Sequence, residues 1–221
     1  RLNKERELVG IYLSAHPLDE YSIILDYVCN TKLTQLDGNK EELSNMDEVT
    51  IGGIVSEVRT GETKNGNPYG IVKMEDFSGN GELALFGKDW IEYRNYFVEG
   101  TSLFIKIKVE PHRFRMGTFN VNIQSVDLLA DVKDKLIEKI TLSIPLDKLS
   151  TTLVNDLAEI VRENPGDAEL VFRIHTGNRD NVTLMSRNTR IRVESTLVRY
   201  IKEHPEISIT VNDNARMQVS A

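Results

Sequence analysis

Between Arg59 and Arg115 the sequence interleaves cations with aromatic rings. Arg59 and Lys64 fall in or beside a first turn, Tyr69 and Lys73 on the run after it, and Phe86 at the end of the next run. His112, Arg113, Phe114 and Arg115 then follow one another without a break. Flat rings stack on unpaired bases at roughly 1–3 kcal/mol per base, while cations track the phosphates. Such a set binds a single strand and makes no bonds. Residues that catalyse are harder to find. His16 precedes Pro17 at a helix end, which suits capping or packing better than acid–base work. Cys29, the single cysteine, lacks a neighbouring base and reads as a small core residue. Ser195 and His175 lack a strained elbow and an oxyanion loop. Glu75, Asp76 and Glu82 could form a metal cluster, but Asp76 before Phe-Ser-Gly fits a turn residue bonding its own backbone. "SGNG" is followed by no Gly-Lys-Ser/Thr, so it cradles no phosphate. No catalytic residue, metal or cofactor is expected in this chain.

The elements that must hold the rings and cations have a period of two. "VTIGGIVSEVRTGET" from Val49 reads as a long strand, with Gly52 and Gly53 marking a bend or bulge. "KNGNP" is a loop. Tyr69 to Glu75 is a second strand with Val72 and Met74 inward, leaving Tyr69, Ile71 and Lys73 outward beside Phe86. "DFSGNG" turns into a third strand, Glu82 to Phe86. "KDWIEYRNYF" has helical spacing, with Trp90, Tyr93 and Phe97 on one side. "TSLFIKIKVE" puts Leu103, Ile105, Ile107 and Val109 inward and Phe104, Lys106 and Lys108 outward. The two lysines would serve as a binding stripe or as guards of an edge strand. "PHRFRMG" is a loop, and "TFNVNIQSV" a fifth strand with Phe119, Val121 and Ile123 inward. Three strands, a helix and two strands is the order of the five-stranded OB barrel. Its outer face and two loops hold oligonucleotides. The plain alternative for Tyr69, Lys73 and Phe86 is packing under a neighbouring segment.

Before the barrel, "LNKERELVGIYLSA" has helical spacing at Leu8, Ile11, Tyr12 and Ala15, and Pro17 ends it. A short helix around Tyr21 to Val28 and a polar connector from Asp37 to Glu48 follow. After Leu128, Ile137 to Ile144 reads as a strand, and Ser150 as the N-cap of a helix bearing Leu153, Leu157, Ile160 and Val161. "NPG" stops that helix. Ala168 to Ile174 and Val182 to Met185 form a hairpin around "TGNRDN". Glu194 to Lys202 is a helix, and "EISITV" a last strand. The fold class is therefore multidomain, mainly β plus α+β. Residues 1–47 form a helical connector, 48–128 an OB-fold nucleic-acid-binding domain, 129–212 a β-α-β-β-α-β domain, ferredoxin-like in element order, and 213–221 a tail. There are no internal repeats and no low-complexity segment.

Composition sets the bounds. The 221 residues are 40% hydrophobic and 28% charged, which excludes disordered and fibrous classes. No apolar run nears the roughly 20 residues of a membrane helix, so no membrane contact is expected. One cysteine permits no internal disulfide, and a reducing, cytoplasmic setting is the expectation. The net charge of −7 argues against general avidity for nucleic acid. It is unevenly spread: residues 1–48 carry five Lys and Arg against ten Asp and Glu, net −5, whereas 49–127 carry nine against ten, net −1. Binding on the barrel must come from how its charges are arranged. Arg187, Arg190, Arg192 and Arg199 make a basic group near the C-terminus, to pair with the acidic first segment or face a partner.

"KERELVGIYLSAHPLDEY", Lys4 to Tyr21, resembles a motif of the alpha subunit of bacterial DNA polymerase III. There a Glu-rich helix leads into a Gly-aromatic-Leu-Ser/Thr-x-His-Pro-Leu string and then a Tyr. The matching positions are Gly10, Tyr12, Leu13, Ser14, His16, Pro17, Leu18 and Tyr21, with Ile11 intervening. "IGGIVSEVRT" and "KNGNPYGIVKMEDFSGNGELALF" are similar to that family's OB domain, a type shared with class II aminoacyl-tRNA synthetases. The resemblance implies a non-catalytic C-terminal fragment of a DNA-directed DNA polymerase, a nucleotidyltransferase of DNA replication. Metal-binding palm aspartates and the helix-hairpin-helix region would lie upstream, and the clamp-binding peptide just before Arg1, which opens the chain without a Met. It further implies that the OB domain contacts single-stranded DNA template. The last domain would dock the tau subunit of the clamp loader, among other replisome subunits. Two other readings stay open. One is an anticodon-binding OB module of a class II synthetase, which would prefer RNA and leave the His-Pro-Leu helix without a purpose. The other is a scaffolding segment that touches no nucleic acid.

Overall fold

The computed structural model describes residues 16–36, 38–112, 116–176 and 181–212. The helix expected before Pro17 lies outside them. Five strands, β1 (Val49–Glu62), β2 (Pro68–Asp76), β3 (Gly79–Phe86), β4 (Ser102–Pro111) and β5 (Phe119–Leu128), form one antiparallel sheet in the order β3-β2-β1-β4-β5. The alternation of the sequence drives it. Ile51, Val72, Leu103, Ile105 and Ile107 are wholly buried on the inner face, each contributing about 1.5–3 kcal/mol by leaving water. The sheet curls because β1 changes partner midway. Residues 49–54 pair with β4 and residues 54–62 with β2. The short helix α2 (Lys88–Tyr93) sits between β3 and β4, as the OB order requires. Its Trp90 stacks on Phe97 with centroids 6.3 Å apart and lies flat over Gly70, where a Cβ would come within 2.3 Å of the indole.

Gly52 and Gly53 do not mark the bulge. The register breaks between Val55 and Glu57, and the glycines instead admit close neighbours. A Cβ at Gly52 would lie 2.6 Å from Leu25, and one at Gly53 2.5 Å from the Glu75 carbonyl oxygen. Phe104, expected outward, does point away from the barrel interior, yet it is only 2% exposed. It and Ile54 join a second core with Leu18, Tyr21, Ile23 and Ile24 of the preceding segment. Lys106 and Lys108 guard no edge, because β4 lies inside the sheet. Lys106 Nζ pairs with Glu48 at 3.1 Å, and Lys108 Nζ donates to the carbonyls of Met46 and Asp47. The connector they hold is partly helical, as α1 (Lys40–Ser44). Residues 19–28 are also helical: a 3-10 turn at Asp19–Tyr21 runs on to a π-helical stretch at Ile24–Val28.

After β5 comes α3 (Leu129–Leu136), a helix that the sequence pattern does not announce. Then follow β6 (Lys139–Pro145), α4 (Thr151–Glu163), β7 (Pro165–His175), β8 (Asn181–Ile191), α5 (Ser195–Glu203) and β9 (Ser208–Val211). Ser150 caps α4, its hydroxyl accepting from the Leu153 N–H at 3.1 Å. From β6 onward the element order is the expected one, but β7 and β8 run longer than the sequence marks. The sheet order is β8-β7-β6-β9, with β6 and β7 adjacent and parallel. A split βαβ would place another strand between those two, so the likeness to a ferredoxin fold stops at element order. Ile140, Leu142, Ile144, Leu170, Ile174, Ile209 and Val211 share one face of this sheet. They close the second core with α3, Leu153 and Leu157 of α4, Leu197 of α5 and the segment before the barrel.

Candidate nucleic-acid interface

The outer face of β1, β2 and β3 carries Arg59, Tyr69, Lys73 and Phe86 of the residues expected to bind. Strand register sets them in rows. Gly61, Tyr69 and Phe86 lie side by side across the three strands, then Arg59, Ile71 and Ala84, then Glu57, Lys73 and Glu82. The bulge at Ser56 sets this register, because an extra residue on β1 brings Glu57 opposite Lys73. Phe86 is 57% exposed. Tyr69 is half-buried: its ring lies across Gly61, where a Cβ would meet the phenol oxygen at 2.7 Å. The two centroids stand 6.0 Å apart with planes tilted by 38°. Phe86 therefore offers an open ring, and Tyr69 supports it while covering a glycine.

Arg59 and Lys73 are not idle cations. Lys73 Nζ lies 2.7 Å from Glu57 Oε2. Arg59 reaches Glu57 Oε1 at 3.3 Å and crosses β2 to Glu82 Oε2 at 2.9 Å. All four side chains are about half exposed, so the network stands in solvent on the wall itself. The hydrogen bond from Lys73 holds the Glu57 carboxyl below its ordinary range, and the Lys73 and Arg59 charges add to it. The sequence reading does not supply Glu57 and Glu82 as partners of these cations. Their opposition to Lys73 becomes visible in the sequence only once the bulge is placed at Ser56.

Lys64 is exposed at the tip of the loop between β1 and β2. That loop closes on itself, the Thr63 N–H donating to the Asn67 carbonyl at 2.8 Å and Gly66 taking a φ of 76°. Among the described residues nothing pairs with Lys64. His112 directly follows β4, beyond β1 from the aromatic row, and its N–H donates to the Thr118 carbonyl at 2.8 Å across the base of the second loop. Arg113, Phe114 and Arg115 lie outside the described residues.

The residues set aside as structural behave so. Asp76 Oδ1 accepts from the N–H groups of Ser78 and Gly79, while its Oδ2 accepts from the Leu33 N–H at 2.8 Å. The turn residue thus also anchors the segment that seals the barrel at Leu33. His16 Nδ1 accepts from the Leu18 N–H, and its own N–H donates to Asp19. The Cys29 sulfur packs over Gly52, and burial pushes its thiol upward, away from reactivity. Among the described residues no group of three His, Cys, Asp or Glu side chains could hold a metal ion. No helix among them is long and apolar enough to cross a membrane. In the arginine group, Arg192 Nε lies 3.6 Å from Asp134 of α3 and Arg190 donates to the Asp167 carbonyl. Arg199 is exposed on α5, and the Arg187 side chain lies outside the described residues.

Comparison with known proteins agrees with the resemblance carried by the His-Pro-Leu string. Residues 140–212 match the family described as DNA polymerase III alpha subunit, C-terminal domain. The chain is 28% identical over 166 residues to the DNA polymerase III subunit alpha of Saccharopolyspora erythraea, covering 75% of this chain and 14% of that one. It is 25% identical over 205 residues to that of Mycobacterium tuberculosis, covering 92% and 17%. The subunit of Borreliella burgdorferi is 27% identical over 186 residues, covering 81% and 15%. The chain thus spans only about a sixth of the length of these relatives. Among solved structures it is similar to the second OB-fold domain of replication protein A from Methanococcus maripaludis (TM-score 0.25, 12% identity, 37% of this chain and 83% of that one). It is also similar to a replication protein A heterotrimer bound to ssDNA (TM-score 0.30, 11% identity, 78% and 50%). The chain resembles the C-terminal region of the polymerase III alpha subunit, and its barrel has the OB strand order.

Proposed function

We propose that this chain is a non-catalytic C-terminal portion of a replicative DNA polymerase alpha subunit. In this reading the barrel holds unpaired template DNA, and the four-stranded domain docks the tau subunit of the clamp loader beside other replisome components. The polymerase reaction itself would belong to the parent polypeptide, in the cytoplasm. The observation that carries the DNA reading is the open Phe86 ring, set on Tyr69 at the end of an OB wall. An unpaired base has a face to give such a ring, whereas a paired base keeps its faces within the duplex stack. The loops supply the cations: Lys64 beside this wall, and the Arg113-Phe114-Arg115 tip by sequence alone.

Anisotropy of a labelled single-stranded DNA, with unlabelled DNA and RNA of the same sequence as competitors, tests the barrel. Competition by DNA at lower concentration than RNA is the expected result. Preference for RNA would favour the synthetase-like reading, and no binding at low salt would leave scaffolding. Calorimetric titration with purified tau tests the other half, and absence of heat together with absence of co-sedimentation would remove it.

A further inference from the structure

We infer that Glu57 and Glu82 are resident competitors for the phosphates of the strand this wall would hold, occupying Arg59 and Lys73 until the backbone displaces them. The inference rests on the single-strand reading of the wall. It goes further, because it assigns a role to two carboxylates that a purely attractive binding face would lack. Lys73–Glu57 at 2.7 Å, Arg59–Glu82 at 2.9 Å and Arg59–Glu57 at 3.3 Å link two cations and two anions into one neutral array. Lys73 and Glu82 are direct cross-strand partners two rows from the aromatic pair. A base stacked on Phe86 would bring its phosphates along this array.

The pairs are exposed, and such pairs are worth about 0–1 kcal/mol each, weak enough to exchange partners. While they last, the array presents no net charge. Stacking then dominates the first encounter, and cation–phosphate pairs form only as carboxylates let go. An occupied wall is thus selective: a ligand that cannot stack gains little from its phosphates here.

The test uses the whole chain and a labelled oligothymidylate of about 16 nucleotides, enough to cover one OB barrel. Four proteins are titrated over a range of salt: wild type, Glu57→Gln with Glu82→Gln, Phe86→Ala, and the triple variant. Glu41→Gln with Glu42→Gln, on exposed α1, controls for the same change in net charge. The double variant is expected to bind about fivefold tighter, with a salt slope steeper by roughly 0.7 per freed cation, while the α1 control matches wild type. Phe86→Ala should weaken both the wild type and the double variant. If Phe86→Ala weakens binding but Glu57→Gln with Glu82→Gln changes neither affinity nor slope, the competitor role is overturned and the wall reading stands. If the α1 control tightens binding equally, the effect is net charge and the inference fails. If Phe86→Ala changes nothing, both readings fall together.

Discussion

Tyr69 and Phe86 face each other directly across β2 and β3, yet only Phe86 is open to solvent, because the Tyr69 ring is spread over Gly61. The two rings therefore separate binding from stability. Phe86→Ala is expected to weaken single-strand binding by roughly 1–3 kcal/mol while moving the urea midpoint by less than about 0.5 kcal/mol equivalent. Tyr69→Ala should weaken binding and also lower stability, since it uncovers the Gly61 backbone. Paired anisotropy and urea titrations read both quantities. Equal stability losses for the two variants would show that Phe86 is packing after all.

Gly70 leaves room for the indole of Trp90, the single tryptophan of the chain. Gly70→Ala places a methyl group where a Cβ would stand 2.3 Å from the ring, and such overpacking costs typically about 1–3 kcal/mol. The expected outcome is a lower denaturation midpoint and a red-shifted native emission spectrum as Trp90 is pushed toward water. An unshifted spectrum at unchanged stability would mean that the indole has another place to go.

Tyr200 links two helices. Its hydroxyl donates to Asp156 Oδ2 at 3.1 Å, and its ring stacks on His204 at 4.1 Å. Burial, and then the hydrogen bond to Asp156, push the phenol up to about 12 from 10.0. A raised folded value means a contribution to stability that is complete below pH 10 and disappears as pH climbs through about 12. Tyr200→Phe should cost about 0.5–1.5 kcal/mol at neutral pH and lose less than wild type on going to alkali. Urea titrations at pH 7, 10 and 11 compare the two.

The Arg113-Phe114-Arg115 tip is assigned by sequence alone, and salt gives the cleanest test of it. Arg113→Ala with Arg115→Ala should lower single-strand affinity and flatten its salt dependence by roughly 0.7 for each phosphate that is no longer neutralised. A slope equal to that of the wild type would remove both arginines from the interface.

The barrel is legible because an alternating strand states its own inside. Val72, Met74, Leu103, Ile105, Ile107 and Val109 are buried as their parity requires. Parity says nothing about what lies on the outside. Phe104 shares its outward sense with Lys106, and one is buried under a helical segment while the other meets Glu48. The ion network stays hidden for a related reason. Pairing Glu57 with Lys73 needs the register of two strands and the bulge between them, and no local pattern at Val55-Ser56-Glu57 announces it. Helix α3 escapes the sequence because "LADVKDKL" is short and weakly apolar, and its helical state leans on burial of Leu129 in a core supplied by distant strands.

Phe104 and Ile54 sit on the outside of the barrel, sealed by the same greasy layer that lines the four-stranded sheet. Severing the polypeptide after Leu128 would strip part of that seal. The liberated barrel would keep its ring-bearing wall but carry a raw, oily patch beside it, and such pieces clump. The two halves thus share one apolar layer, and it reaches β1 at Ile54, on the same outer face as Glu57 and just before the bulge at Ser56.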